Sequence, residues 1–510
     1  MNFADLFRVT LPETALEIAA LLVLVADLAF LRKSALNVRG GVAALLGVAG
    51  CGAALWLVLG TSGPGLSAGN ELLLTVGGTT AVAQVGILAL TALTLLLMVG
   101  SVFTRHVGEF VAVVLMSATG GLIIAAAQDL LVIFIGLELL SLGLYILTAF
   151  AKASGRSAEA ALKYYLFGGM SAAFLLFGFS YLYGIMGSTN LHEVMQGIHH
   201  STPLIADPLL LVCLVMIAAG LGFKVAAVPF HLWAPDTYEG APAPAAAFIA
   251  SVSKVASFAL LIAIGTAGLQ VAGAHYVVPL GMEPLHSDQG FGYRGPWSAV
   301  LTLLALASMT VGNLAALAQI SVRRLLAYSA IAHAGYMLLA LAFFSHSNVS
   351  ASAILYYILT YGLTTIGAFG VIDVVERATG SDRMDAFLGL HKRNPLLAAV
   401  LLVLFLSLAG IPPLVGFWAK FNLFAAVLGV GAGPVAFALV ALAVAFSAVS
   451  LYYYLQVLKR AYVMPTVSDT PIKAHPLTMV VLLVIAAAVV VMGCFPAVLQ
   501  NWIASFYPTM

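Results

Sequence analysis

The chain has 510 residues, 62% of them hydrophobic and only 8% charged, with a mean hydropathy of +1.09 and a formal net charge of +1. No soluble domain is this poor in charge, and the composition is that of a polytopic membrane protein. The near-zero net charge and the lack of a basic tail or arm leave nothing for a nucleic-acid partner to bind.

The chain begins MNFADLFRVT, without the basic head and small-residue cleavage site of a signal peptide, so the first apolar run is expected to persist as a helix. At about 20 apolar residues per crossing, fourteen spans are predicted. They lie at about 11–31, 40–60, 81–103, 110–128, 130–151, 160–187 and 208–230, then about 244–269, 298–320, 324–345, 351–375, 396–428, 434–461 and 477–504. The first is the least regular, because it carries Glu13, Glu17 and Asp27. Two connections are long: 61–80, rich in Gly, Ser and Thr and a possible hairpin, and 270–297, with Pro279, Pro284 and Pro296. No linker divides the chain, so 1–510 reads as a single membrane domain.

Basic residues orient it. If alternate loops face the cytoplasm, beginning with the loop after the first span, that side holds sixteen Lys and Arg and the other side only Arg8 and Arg294. The other three of the 21 lie inside spans. This is the positive-inside pattern, and it puts both termini on the periplasmic side of a bacterial inner membrane.

Those three, Lys224, Lys254 and Lys420, with Glu138 form the main functional clue. A charge at the centre of a bilayer costs about 2.5–3.5 kcal/mol even on permissive scales. Glu138 lies roughly 12 Å into its span at about 1.5 Å per residue. Lys254 sits at mid-depth with Ser251, Ser253 and Ser257. Lys224 precedes Pro229 and Pro235, and Lys420 follows Gly410, Pro412, Pro413 and Gly416, so both helices should break near their lysine. Such irregular backbone survives only inside protein or beside water. The broken spans are the seventh and the twelfth. An odd offset reverses topology, so spans 4–8 and 9–13 are expected to form two inverted five-helix repeats (about 110–269 and 298–461).

Other polar groups admit two readings. His333 is a satisfied core histidine or a proton relay, a role that suits an ordinary pKa of about 6.5. Lys163 either takes part in proton movement or reaches the interface. His231, Asp236 and Glu239 gather protons at the end of the seventh span or form a polar turn. Arg323 and Arg324 mark the cytoplasmic boundary, and Asp373 and Glu376 are expected at the interface. Cys51, Cys213 and Cys494 are far apart with no CxxC, and neither a P-loop nor a strand-borne G-x-G-x-x-G occurs, so redox and nucleotide chemistry within this chain find no support.

Five stretches are recognisable: GLELLSLGLYIL (136–147), EAALKYYLFGGMSAAFLLFG (159–178), GFKVAAVPFHLWAPDTYEGAPAP (222–244), SVRRLLAYSAIAHAGYML (321–338) and LSLAGIPPLVGFWAKFNLF (406–424). Across most of spans 5–12 the chain resembles the antiporter-like subunits of proton-pumping respiratory complex I, above all the one called N, equivalent to mitochondrial NADH dehydrogenase subunit 2. The resemblance implies an all-α fold of fourteen helices with inverted repeats. It implies a Glu138–Lys224 pair, a central Lys254 and a terminal Lys420. It implies partner subunits along a membrane arm that hold FMN, iron–sulfur clusters and quinone, while this chain holds no cofactor. The sister subunit M usually has Glu where Lys420 stands, and subunit L carries a long C-terminal extension beyond the last span. The rival expectations are a subunit of a multisubunit cation/proton antiporter or of a related non-NADH quinone reductase or hydrogenase, a non-pumping scaffold, and a stand-alone solute transporter.

Overall fold

The computed structural model describes residues 7–61, 73–101, 103–200, 208–269, 295–344, 348–430, 433–466 and 470–507. The long 270–297 connection and the possible hairpin in 61–80 lie largely outside these residues. The described chain is helical apart from three isolated bridges, Leu74–Ala127, Asp129–Asn190 and Ser321–Arg383.

The helices are α1 (Leu11–Val25, continued by a π turn at Ala26–Phe30), α2 (Leu36–Thr61), α3 (Gly78–Met98), α4 (Val107–Ala126), α5 (Leu130–Thr148) and α6 (Gly155–Met186). A short α7 (Leu191–His200) leads to α8 (Pro208–Val225), α9 (Trp233–Gly240) and α10 (Ala243–Leu269). Then come α11 (Gly295–Leu317), α12 (Val322–Ala342), α13 (Asn348–Thr379), α14 (Leu390–Arg393), α15 (Pro395–Ala409) and α16 (Val415–Gly429). The last are α17 (Pro434–Tyr462), α18 (Pro476–Cys494) and α19 (Pro496–Ala504). Among the described residues, twelve helices are long and apolar enough to cross a membrane. Two predicted spans fall short. The first is α1 with its π turn, and the twelfth is divided into α15 and α16. The predicted last span also divides, at Phe495, where Pro496 cannot continue the hydrogen-bond ladder.

Local chemistry sets the boundaries. Asp129 Oδ1 accepts from the Leu131 and Val132 amides at 2.8 and 3.3 Å and caps α5. Ser154 caps α6, Ser321 caps α12, and Asn394 caps α15 ahead of Pro395. Two charges of the irregular first span find partners: the Asp27 carboxylate takes two bonds from Arg39, at 2.7 and 2.6 Å, and Glu13 Oε1 accepts from Gln84 at 3.3 Å.

Packing puts α10, α12 and α13 at the centre. In each, 94% of the most apolar window is buried, against 22% in α17. Helices α4 and α5 pack together as α11 and α12 do, α6 packs on α8 as α13 does on α16, and α4 meets α10 as α11 meets α17. The two breaks start alike. At the end of α8 the amides of Ala226 and Ala227 turn back to the Phe223 and Gly222 carbonyls, with Ala226 at φ 60°. At the end of α15 the amides of Gly410 and Ile411 turn back to Ser407 and Leu406, with Gly410 at φ 88°. Each is a left-handed helix stop that satisfies the preceding carbonyls. Ala226 holds this conformation with a side chain, which costs about 1–2 kcal/mol.

Helix α18 closes against the second break. A Cβ at Gly493 would lie 2.6 Å from both the Leu414 carbonyl carbon and the Val415 nitrogen. Gly493→Ala is therefore expected to lower stability by about 1–3 kcal/mol. Gly169→Ala, at a position with open space around it, should be neutral. Thermal denaturation and recovery of the assembled protein measure both.

Candidate functional site

Lys224 sits at the end of α8 and Glu138 on the facing side of α5. Lys224 Nζ lies 3.9 Å from Glu138 Oε1 and donates to Ser141 Oγ at 2.5 Å. Ser141 is one turn beyond Glu138, so one helix face carries both the carboxylate and the hydroxyl. The lysine side chain is 7% exposed and the glutamate 27%, so one partner is enclosed and the other reaches the protein surface.

Lys254 is fully enclosed near the middle of α10, and its Nζ donates to the Val225 carbonyl at 2.8 Å. Val225 is the last residue of α8, and its carbonyl is one of those a helix end leaves without an intrahelical partner. Lys254 is therefore docked one residue from Lys224. The second break repeats the device. Lys420 Nζ donates to the carbonyl of Ala409, the last residue of α15, at 2.9 Å, and to Ser447 Oγ at 2.8 Å. It also lies 5.6 Å from the centre of the Tyr336 ring. Helix C-terminal carbonyls carry partial negative charge, so both breaks supply electrostatic compensation for an ammonium group without a carboxylate.

His333 on α12 lies within electrostatic reach of both Lys254 and Lys420. Its Nδ1 meets the Tyr357 hydroxyl at 2.6 Å and its Nε2 the Tyr454 hydroxyl at 3.4 Å. A cavity of about 10 Å³, room for about one water, lies beside it, with Thr360, Ser407 and Gly416 among its walls. The cavity connects the histidine to the second break, with Ala419, the neighbour of Lys420, in its lining.

The remaining candidates gather elsewhere, at the end carrying the basic loops. Lys163 Nζ pairs with Asp236 at 2.8 Å and Glu159 at 2.7 Å, and its side chain is 42% exposed. Arg324 Nη1 bonds Asp236 at 2.6 Å and Glu239 at 2.9 Å. Asp236 on α9 is thus held between α6 and α12. Its partial burial opposes the charge, but the bonds from Lys163 and Arg324 prevail and keep its pKa below the usual carboxylate value. His231 lies in the first break, its Nδ1 buried without a partner among the described residues. Burial holds its pKa below the ordinary histidine value, while the Pro229 carbonyl works the other way.

Arg323 is more than a boundary marker. It is buried, pairs with Glu376 at 2.5 Å, and donates to the carbonyls of Ala241 at 2.7 Å and Glu239 at 3.2 Å. Asp373 is equally engaged, with Ser101 and Arg377. Sequence reasoning missed Ser141, Ser447, Tyr357, Tyr454 and the buried amide of Asn313, which joins Tyr336 and Tyr453 at 3.2 and 3.3 Å. A lone Asn in an apolar span and a Ser one turn from a buried Glu are signals that could have found two of them.

The depressed Asp236 pKa has a defined consequence. Its contribution to stability is complete above the ordinary value of about 3.8 and is lost as pH falls through the lower folded value. Asp236→Asn should lower stability by about 1 kcal/mol at neutral pH. Melting curves of the two proteins should converge only in acid, below about pH 4.

The family described as NADH:quinone oxidoreductase/Mrp antiporter, TM matches residues 127–447. A protein of Acidobacterium capsulatum named NADH-quinone oxidoreductase subunit N 2 is 47% identical, over 99% of both chains. A chain in the structure of respiratory complex I from Thermus thermophilus superposes with a TM-score of 0.75 at 33% identity, covering 96% of this chain and 99% of that one. A chain of the Mrp complex from a Dietzia species shares the fold with a TM-score of 0.78 at 20% identity, covering 99% and 97%. The chain belongs to the NADH:quinone oxidoreductase/Mrp antiporter transmembrane family, among the subunit N proteins of bacterial respiratory complex I.

Proposed function

We propose that Glu138, Lys224, Lys254 and Lys420 form the proton path of this chain, with His333 between the last two and with Lys163 and His231 at the entry. The chain is an antiporter-like membrane subunit of a proton-translocating NADH–quinone oxidoreductase, and its partners are the other subunits of that complex. The redox cofactors of such a complex belong to other subunits. On this reading FMN, iron–sulfur clusters and quinone all lie outside this chain, and coupling reaches it through the membrane arm. It is a multi-pass inner-membrane protein, and the bias of basic loops supports termini on the periplasmic side.

One observation carries the reading: the 3.9 Å separation of Lys224 from Glu138, beside a helix end whose free carbonyl already holds Lys254. Burial penalises the charged ammonium, and a nearby carboxylate offsets that penalty in proportion to its closeness. Two unit charges at about 4 Å attract by about 4 kcal/mol at an effective dielectric of about 20. Doubling the separation halves this. The difference of about 2 kcal/mol matches the roughly 2.3 kcal/mol needed to move one charge across about 100 mV. Opening the pair therefore releases a proton from Lys224 toward Lys254, and His333 and the adjacent cavity pass it to Lys420. Closing the pair reloads Lys224.

Glu138→Ala and Lys224→Ala are each expected to cut proton pumping and coupled turnover by about 100-fold or more, the scale of a single proton-transfer group. The complex should still assemble. Because the two residues act as one unit, the double variant should be little worse than either single. Normal pumping by fully assembled variants would remove the pair from the path.

A further inference from the structure

We propose that Tyr238, Tyr361 and Thr365 hold a short file of water that delivers protons from the ionic cluster at the basic end to His333. The inference rests on the reading that His333 lies on the proton path.

One face of α13 carries Tyr357, Tyr361, Thr365 and Phe369 at successive turns, a spacing that aligns side chains along a helix. At one end of this stripe the Tyr357 hydroxyl meets His333 Nδ1 at 2.6 Å, and the Tyr361 ring lies 4.8 Å from the imidazole. At the other end the Phe369 ring packs against the Tyr238 ring at 5.7 Å. Beyond Phe369 the same helix carries Asp373, bonded to Ser101 and Arg377, and Glu376, paired with Arg323. Arg323 reaches the carbonyls of Glu239 and Ala241, which flank the last residue of α9, the helix that bears Tyr238. Ionic groups thus stand at one end of the stripe and the histidine at the other.

Between them lie two hydroxyls that the protein leaves unmatched. Tyr238 Oη and Thr365 Oγ1 are buried and have no hydrogen-bond partner among the described residues. The Tyr361 hydroxyl neighbours Thr365 Oγ1 without a bond of good geometry, and it lies within electrostatic reach of Tyr238. A buried polar group without a partner is costly and calls for an explanation, usually an ordered water or ion. A buried water needs about two to four polar partners, and these three hydroxyls supply them. Each oxygen in such a file accepts a proton on one side and releases another on the far side. The file is restored by reorientation, and no net charge stays on it.

The test uses the whole complex in liposomes with Tyr238→Phe and Thr365→Val, each of which removes one hydroxyl and keeps the bulk. Both should slow proton-coupled turnover several-fold and enlarge its solvent deuterium isotope effect, with assembly unchanged. Wild-type pumping in both variants would overturn the proposal. His333→Phe in the same assay separates the two levels. If it stops pumping while the hydroxyl variants pump normally, only this route fails; if it too pumps normally, the place of His333 on the path fails as well. Should a hydroxyl variant not assemble, a map of the native complex that shows ordered water decides. Density bonded to Tyr238 and Thr365 supports the file, and a dry site there refutes it.

Discussion

The arrangement turns on lysines bonded to carbonyls that interrupted helices leave free. In a continuous helix each carbonyl is already bonded within the ladder and offers only its second lone pair, so a helix end is the stronger acceptor for an ammonium group. Stopping α8 at Val225 and α15 at Ala409 frees one acceptor at membrane depth in each case, and Lys254 and Lys420 use them. Such a bond stabilises the charged form without a countercharge that would trap it. A carboxylate at the same place would hold the proton more firmly, and Glu138 is given that role only at Lys224, where the separation is 3.9 Å rather than a close contact.

The same breaks explain how the charged groups are seated. Lys254 binds the residue that follows Lys224, so two lysines on different helices are brought together by one turn of backbone. The second break faces His333 across a cavity that both share. Around His333 the protein is aromatic. Tyr336, Tyr357 and Tyr454 crowd the space between α12, α13 and α17, and the hydroxyls of Tyr357 and Tyr454 give the histidine fixed neighbours in an otherwise apolar interior. The basic end is different in kind. Lys163, Asp236, Arg324, Glu239, Arg323 and Glu376 form a partly exposed network that ties α9 to α6, α12 and α13. It pins the segment after the first break to its neighbouring helices.

Much of this was legible beforehand, and for identifiable reasons. Lys224, Lys254, Lys420 and Glu138 stood out because charge in lipid is rare and costly. The breaks were readable from Pro229, Pro412 and Pro413, since proline past a helix's first turn removes a ladder bond and clashes with the preceding turn. Other features were hidden. Nothing local distinguishes Arg323 from Arg324, yet one is buried on carbonyls and the other bridges two surface acids. Lys163 and Lys224 are both single lysines in apolar runs, but only the second meets Glu138. Tyrosines and serines look like ordinary lining in a sequence, because their value depends on what their hydroxyls face.

Composition, hydropathy and proline placement by themselves determined that the chain spans a membrane many times, where its helices fail, and which charges need an explanation. These follow from the free energy of individual residues in lipid, which does not depend on their neighbours. Tertiary structure alone decided which charge meets which partner, which helix end receives each lysine, and which hydroxyls clamp His333. Those contacts join residues as far apart as Lys224 and Ser141, or Tyr454 and His333, and only the packing of whole helices brings such distant groups within hydrogen-bond range.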